Sequence, residues 1–175
     1  SEFWFETVLI VLLILANGFF SGSEIAIVSV RRSRIDQLIA EGHISAQVVA
    51  RLKDDSDRFL ATVQIGITLV GSLASAVGGA SAVEYLEPIF RQSGISFLEE
   101  WGGVLALGTV VVVISYLSLV IGELVPKSLA LRHPERIACA VARPLDLFSR
   151  MFSIVVRLLT ASSNVLLFLS GSGAR

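Results

Sequence analysis

Charged residues are scarce in this 175-residue chain. Asp, Glu, Lys and Arg make up 17% of it, against about a quarter in a soluble domain. None falls between residues 59 and 83, and none between 101 and 122. A soluble fold has too little interior to hide two such runs, so the shortage excludes that class. Cysteine occurs once, at Cys139, which excludes an internal disulfide. The two histidines, His43 and His133, lie in charged connecting stretches, which argues against an imidazole-based zinc or copper site. No Ser–His pair or His-Glu-x-x-His run lies within an apolar stretch, so an intramembrane enzyme is not expected. A net charge of −1 offers no basic surface for nucleic acid. The first apolar stretch is longer than a signal core of roughly 7–15 residues and lacks a basic lead, so it reads as a span.

What is present is apolar: 54% hydrophobic residues and a mean hydropathy of +0.77. A helix needs about 20 residues to cross the hydrocarbon. Three stretches suffice, at about 4–30, 59–83 and 101–123. Residues 33–52, with Ile35, Leu38, Ile39, Val48, Val49 and Leu52 among basic neighbours, read as an amphipathic surface helix that Gly42 can kink. Residues 144–168 are a second amphipathic segment. As a fourth span they would bury Arg157, at roughly 2.5–3.5 kcal/mol on the lenient insertion scale. An in-plane helix avoids that cost and is the expectation. The fold class is therefore an all-α membrane protein, with three transmembrane helices and amphipathic helices on the cytoplasmic side. Arg31, Arg32 and Arg34 follow span one, Arg51, Lys53 and Arg58 precede span two, and Lys127, Arg132, Arg136 and Arg143 follow span three. The opposite ends carry Glu2, Glu6, Glu84, Glu87, Glu99 and Glu100 with Arg91 alone. The positive-inside rule puts the N-terminus outside and the C-terminus in the cytoplasm of a cell-membrane protein.

Each span carries a polar stripe at helical spacing: Asn17, Ser21 and Glu24; Gln64, Thr68, Ser72, Ser75 and Gly79; Ser115, Ser118 and Gly122, followed by Glu123. Small residues and hydroxyls also serve helix packing, and Glu123 could snorkel or pair with Lys127 four positions on. Pro126 is expected to break the helix just beyond Gly122 and Glu123. Broken backbone at membrane depth is tolerated where it is buried or lines a cavity. Carbonyls, hydroxyls and a carboxylate together make an all-oxygen site, suited to a hard cation such as Mg²⁺, Ca²⁺ or Na⁺.

Three ordered motifs carry a family resemblance. Asn17-Gly18-Phe19-Phe20-Ser21-Gly22-Ser23-Glu24, Gln64-Ile65-Gly66-Ile67-Thr68-Leu69-Val70-Gly71 and Gly122-Glu123-Leu124-Val125-Pro126-Lys127 resemble those of the CNNM/CorC family, over about residues 5–165. The resemblance implies a single transmembrane domain and Mg²⁺ transport, as efflux with Na⁺ exchange. It also implies a homodimer in the lipid bilayer and continuation into ATP-binding cytoplasmic CBS domains, absent from this chain. Carried over by position, Ser21 and Glu123 are the foremost metal-ligand candidates, with Ser75 and the Gly122 carbonyl next. Some relatives carry Asn where this chain has Ile67 and Gly71, so Ser72 or Ser75 would supply the span-two oxygen. The other reading is a Mg²⁺-binding sensor that regulates a separate transporter. Ser1-Glu2-Phe3 reads as a cloning remnant and residues 171–175 as a linker, which suggests excision from a longer chain.

Overall fold

The computed structural model describes residues 2–171. Ser1 and residues 172–175, parts of the two terminal readings above, lie outside them. There is no strand among the described residues. The helices are α1 (Glu2–Ser29), α2 (Arg32–Ala40), α3 (Ile44–Asp54), α4 (Ser56–Ser81), α5 (Glu87–Arg91), α6 (Ser96–Leu119), α7 (Val125–Arg132), α8 (Pro134–Met151) and α9 (Ser153–Leu169). Three continuous helical stretches are long and apolar enough to cross a membrane: Glu2–Ser29, Ser56–Arg91 and Ser96–Arg132.

The second and third stretches run past Pro88 and Pro126, although Pro126 is expected to break its helix and span two to end near residue 83. The reason is the same in both. A π-helical turn at Ala82–Leu86 joins α4 to α5, and another at Val120–Leu124 joins α6 to α7. The Glu87 N–H bonds to the Ala82 carbonyl, and the Val125 N–H to the Val120 carbonyl. Pro88 and Pro126 follow directly, and each lacks the N–H that an α-helix would need there. A widened turn re-routes the ladder, so the helix bulges and continues. Pro126 therefore leaves the chain helical through Arg132, instead of ending it.

The surface segments also differ from expectation in detail. The stretch read as one helix over 33–52 is two, because Gly42 adopts φ +87°, a left-handed conformation that only glycine enters cheaply. The second segment starts earlier than 144. Pro134 opens α8, where its fixed φ suits a first helical turn. The helix then stops at Phe152, and α8 and α9 meet at a 79° bend. Together the pair passes the length and apolarity test for one broken span.

Contacts between Cα atoms group the chain into two units: residues 1–19 with 67–126, and residues 20–66 with 127–175. Unit 2 has a conventional packed core. Ala138, Ala142, Leu145 and Ser149 of α8 lie at helical spacing and are buried, and α8 packs on α3, whose Ala46, Val49 and Leu52 are buried. Phe20 lies edge-on to Phe148, centroids 4.9 Å apart. A Cβ on Gly66 would come within 2.5 Å of the Phe20 ring, so glycine makes room for it. The Lys53 ammonium donates to the carbonyls of Ile27, Val28 and Val30 at 3.0, 3.2 and 2.8 Å. It thereby caps the C-terminal end of α1, where carbonyls lack intrahelical partners and the dipole favours a cation.

Unit 1 has little core and much apolar surface. In the third span only 6% of the apolar window is buried, and Val104 and Val112 are exposed, as lipid-facing residues should be. α5 turns into α6 through Gly94 at φ +73°. Near the acidic end, the Ser81 hydroxyl donates to the Glu6 carboxylate, and Phe3 stacks edge-on with Tyr85 at 5.2 Å. Unit 1 contains one basic residue, Arg91, against Glu2, Glu6, Glu84, Glu87, Glu99, Glu100 and Glu123; every other Lys and Arg belongs to unit 2.

Candidate cation site

The site in unit 1 is built around the missing amide hydrogen of Pro126. In an α-helix the N–H of residue 126 would bond to the carbonyl of residue 122. Proline has none to give, so the Gly122 carbonyl loses its helical partner. The Asn17 side chain supplies one: Nδ2 donates to the Gly122 oxygen at 3.0 Å, and the bond is buried. The close approach needs two glycines. A Cβ on Gly122 would lie 3.0 Å from Asn17 Nδ2 and 3.3 Å from the Ile14 carbonyl oxygen. A Cβ on Gly18 would lie 2.9 Å from Pro126 Cγ and 3.2 Å from the Ile121 carbonyl oxygen. The Gly-Glu-x-x-Pro spacing and the Asn-Gly pair of α1 are thus two halves of one contact.

Beside it is a cavity of about 280 Å³ within unit 1. Its polar wall is Asn17, Ser75, Ser115, Ser118 and Glu123, and its apolar wall includes Ile14, Ile67, Val70, Ala74 and Ile114. Hydroxyls in helices often bond back to the carbonyl four residues earlier, as Thr62, Ser81 and Thr109 do here. Ser75, Ser115 and Ser118 make no hydrogen bond among the described residues, and neither does the Glu123 carboxylate, which also has no ion pair there. Four oxygen-bearing side chains therefore face one small cavity uncommitted. Among the described residues no three His, Cys, Asp or Glu cluster together, so any cation held there meets hydroxyl, amide and carbonyl oxygens with a single carboxylate.

The residues singled out from the sequence are distributed as follows. Glu123 and Ser75 share the cavity. Gly122 is buried, and its carbonyl is engaged by Asn17. Ile67 and Gly71, the two departures from the family pattern, are also in the wall, and Ser75 is one turn along α4 from Gly71. Ser72 is exposed and does not line the cavity. Ser21 belongs to unit 2, is 1% exposed, and its Oγ is a buried side-chain oxygen without a partner among the described residues. Glu24 and Gln64 line a different cavity, of about 540 Å³, within unit 2, with Asp57, Thr160, Ser163 and Asn164. Asn17, Ser115 and Ser118 were visible as stripe members but not as site residues. The signal for Asn17 was available: a proline four residues after Gly122 announces a carbonyl in need of a donor.

A protein-family model described as the cyclin M transmembrane N-terminal domain matches residues 8–175. A UPF0053 protein of Synechocystis sp. is 45% identical over 95% of this chain and 37% of its own length. A UPF0053 protein of Bacillus subtilis is 35% identical over 91% of this chain and 34% of its own length. A protein of Haemophilus influenzae named polyamine export protein is 27% identical over 92% of this chain and 37% of its own length. The chain thus spans little more than a third of each of these relatives.

Proposed function

Because this chain belongs to the cyclin M (CNNM) family of membrane domains, we propose that it is the membrane part of a Mg²⁺ carrier, exporting the ion in exchange for Na⁺. The observation that carries this reading is the unit 1 cavity with its uncommitted Ser75, Ser115, Ser118 and Glu123. An ionisable residue inside a span is costly and usually marks an ion or substrate path. A lone carboxylate with neutral oxygens suits a hard cation and holds it loosely, as a cargo site requires. Asn17 spends its Nδ2 on Gly122, which leaves its Oδ1 as the ligand end. The Gly122 carbonyl keeps a second lone pair; Ser21, a ligand candidate by position, is in unit 2, where its buried hydroxyl has no partner among the described residues. Ser75, which lines the cavity, supplies the span-two oxygen rather than Ser72, which does not line it.

Orientation follows from charge. The basic residues that flank the spans, such as Arg31, Arg32, Lys53 and Lys127, face the cytoplasm, and Glu2, Glu6, Glu84 and Glu100 face the outside of the cell membrane. The working form is a homodimer in the bilayer whose chains continue into ATP-binding CBS domains. A polyamine cargo fits the cavity less well, since a polycation calls for several carboxylates and, among the described residues, Glu123 alone supplies one.

Flux into or out of proteoliposomes with an entrapped Mg²⁺ dye tests the reading. A carrier gives Mg²⁺ movement that depends on an opposing Na⁺ gradient and that spermidine does not replace. Protein that binds Mg²⁺ but moves none would be the sensor of another transporter, and would overturn carriage.

A further inference from the structure

One cavity of unit 2 holds charges that do not neutralise each other. It has a volume of about 470 Å³ and lies between the start of α4 and one face of α9. Asp55, Asp57 and Arg58 line it from one side, and Arg157, Thr160 and Asn164 from the other. Two guanidiniums and two carboxylates thus share one small space, yet none of the four forms an ion pair among the described residues. Arg58 Nε donates to the Ser149 hydroxyl at 3.0 Å, and Asp55 Oδ1 accepts only the Arg58 backbone N–H, at 3.4 Å. The neighbouring Asp146 differs, being held by Arg150 at 3.0 Å and by Arg51 at 3.9 Å.

The surroundings say what could be interposed. Outside its polar face α9 is apolar and exposed: Ile154 is 80% and Leu158 65% accessible. In a membrane protein such a surface meets acyl chains. Arg157 on that helix, without a counter-ion, is costly unless a headgroup compensates it. Both charge signs in one cavity ask for a ligand that carries both.

We propose that this cavity binds the head group of a phospholipid bearing a primary amine. Its phosphate sits on Arg58 and Arg157, its ammonium on Asp55 and Asp57, and its acyl chains run along Ile154 and Leu158. Guanidinium and phosphate match in geometry and make charge-assisted hydrogen bonds. An ammonium with N–H groups donates to carboxylates. A quaternary ammonium cannot, and it prefers aromatic faces, none of which lines the cavity among the described residues. A net-anionic headgroup would place its phosphate by the arginines but leave both aspartates uncompensated.

Native mass spectrometry of the delipidated protein in detergent tests this. Phosphatidylethanolamine, phosphatidylcholine and phosphatidylglycerol with identical acyl chains are offered in equal amounts, with soluble phosphoethanolamine as a separate arm. The expected result is a roughly tenfold preference for the primary-amine lipid, equivalent to about 1.4 kcal/mol. Phosphoethanolamine without tails should bind more weakly at the same place. Asp57→Asn and Arg157→Gln should each abolish the preference, while Leu166→Ala, on the exposed apolar side, should leave it intact. Equal retention of the three lipids, a preference for phosphatidylglycerol, or a preference unchanged in both cavity variants would overturn the proposal. Should a variant fail to fold by circular dichroism, the headgroup comparison on the unaltered protein decides alone.

Discussion

Lys53 shows how much one side chain can organise. Its three hydrogen bonds collect the last carbonyls of α1, where the first span leaves the membrane and the chain turns into α2. A cation near a helix C-terminus contributes about 0.3–1 kcal/mol when exposed and up to about 2 kcal/mol when partly buried. Lys53 is partly buried. Lys53→Met, which keeps most of the stem and removes the donor, should therefore cost about 1–2 kcal/mol. Urea titration in mild detergent, followed by circular dichroism, reads that loss. An unchanged midpoint would show that water caps α1 equally well. The sequence marked Lys53 only as one of several basic flanking residues. Nothing in its spacing says that it reaches back to residues 27–30, because that contact joins elements 23 to 26 residues apart.

At the scale of elements, the two π turns repeat one device. Each precedes a proline, and each allows a span to continue where the sequence suggested a stop. The three spans and their polar stripes were legible because charge-free runs and a 3.6-residue period are local properties. The bulges were not, since a proline in isolation reads as a breaker and its accommodation depends on where the freed carbonyl finds a donor. Gly122 finds it in Asn17, 105 residues away. Glycine packing is likewise non-local, and it separates the glycines by consequence. Gly66→Ala would drive a methyl into the Phe20 ring, whereas nothing lies within 4 Å of a Cβ at Gly108. Overpacking of this kind costs about 1–3 kcal/mol, while a tolerated Gly→Ala in a helix gains about 0.5–1 kcal/mol. Thermal unfolding of the two variants should shift in opposite directions. A Gly66→Ala protein as stable as the parent would mean that the Phe20 ring can move aside at no cost.

For the whole molecule, charge and chemistry divide along the same line as the chain's two units. Unit 1 keeps its acids, one base and a cavity of uncommitted oxygens; unit 2 keeps nearly all the cations. Motif resemblance was enough to nominate Glu123, Ser75 and Ser72. Only the folded chain separates Ser75, in the cavity wall, from Ser72, outside it, because both fall within one loosely defined stripe when read by period alone. The most direct measurement of the central claim is Mg²⁺ binding by titration calorimetry to the purified protein, to Glu123→Gln and to Ser72→Ala. Glu123→Gln removes the one carboxylate that lines the cavity among the described residues and should weaken binding about tenfold or more, which is at least about 1.4 kcal/mol. Ser72→Ala should bind as the parent does. Undiminished Mg²⁺ affinity in Glu123→Gln would contradict the assignment of this cavity as the cation site.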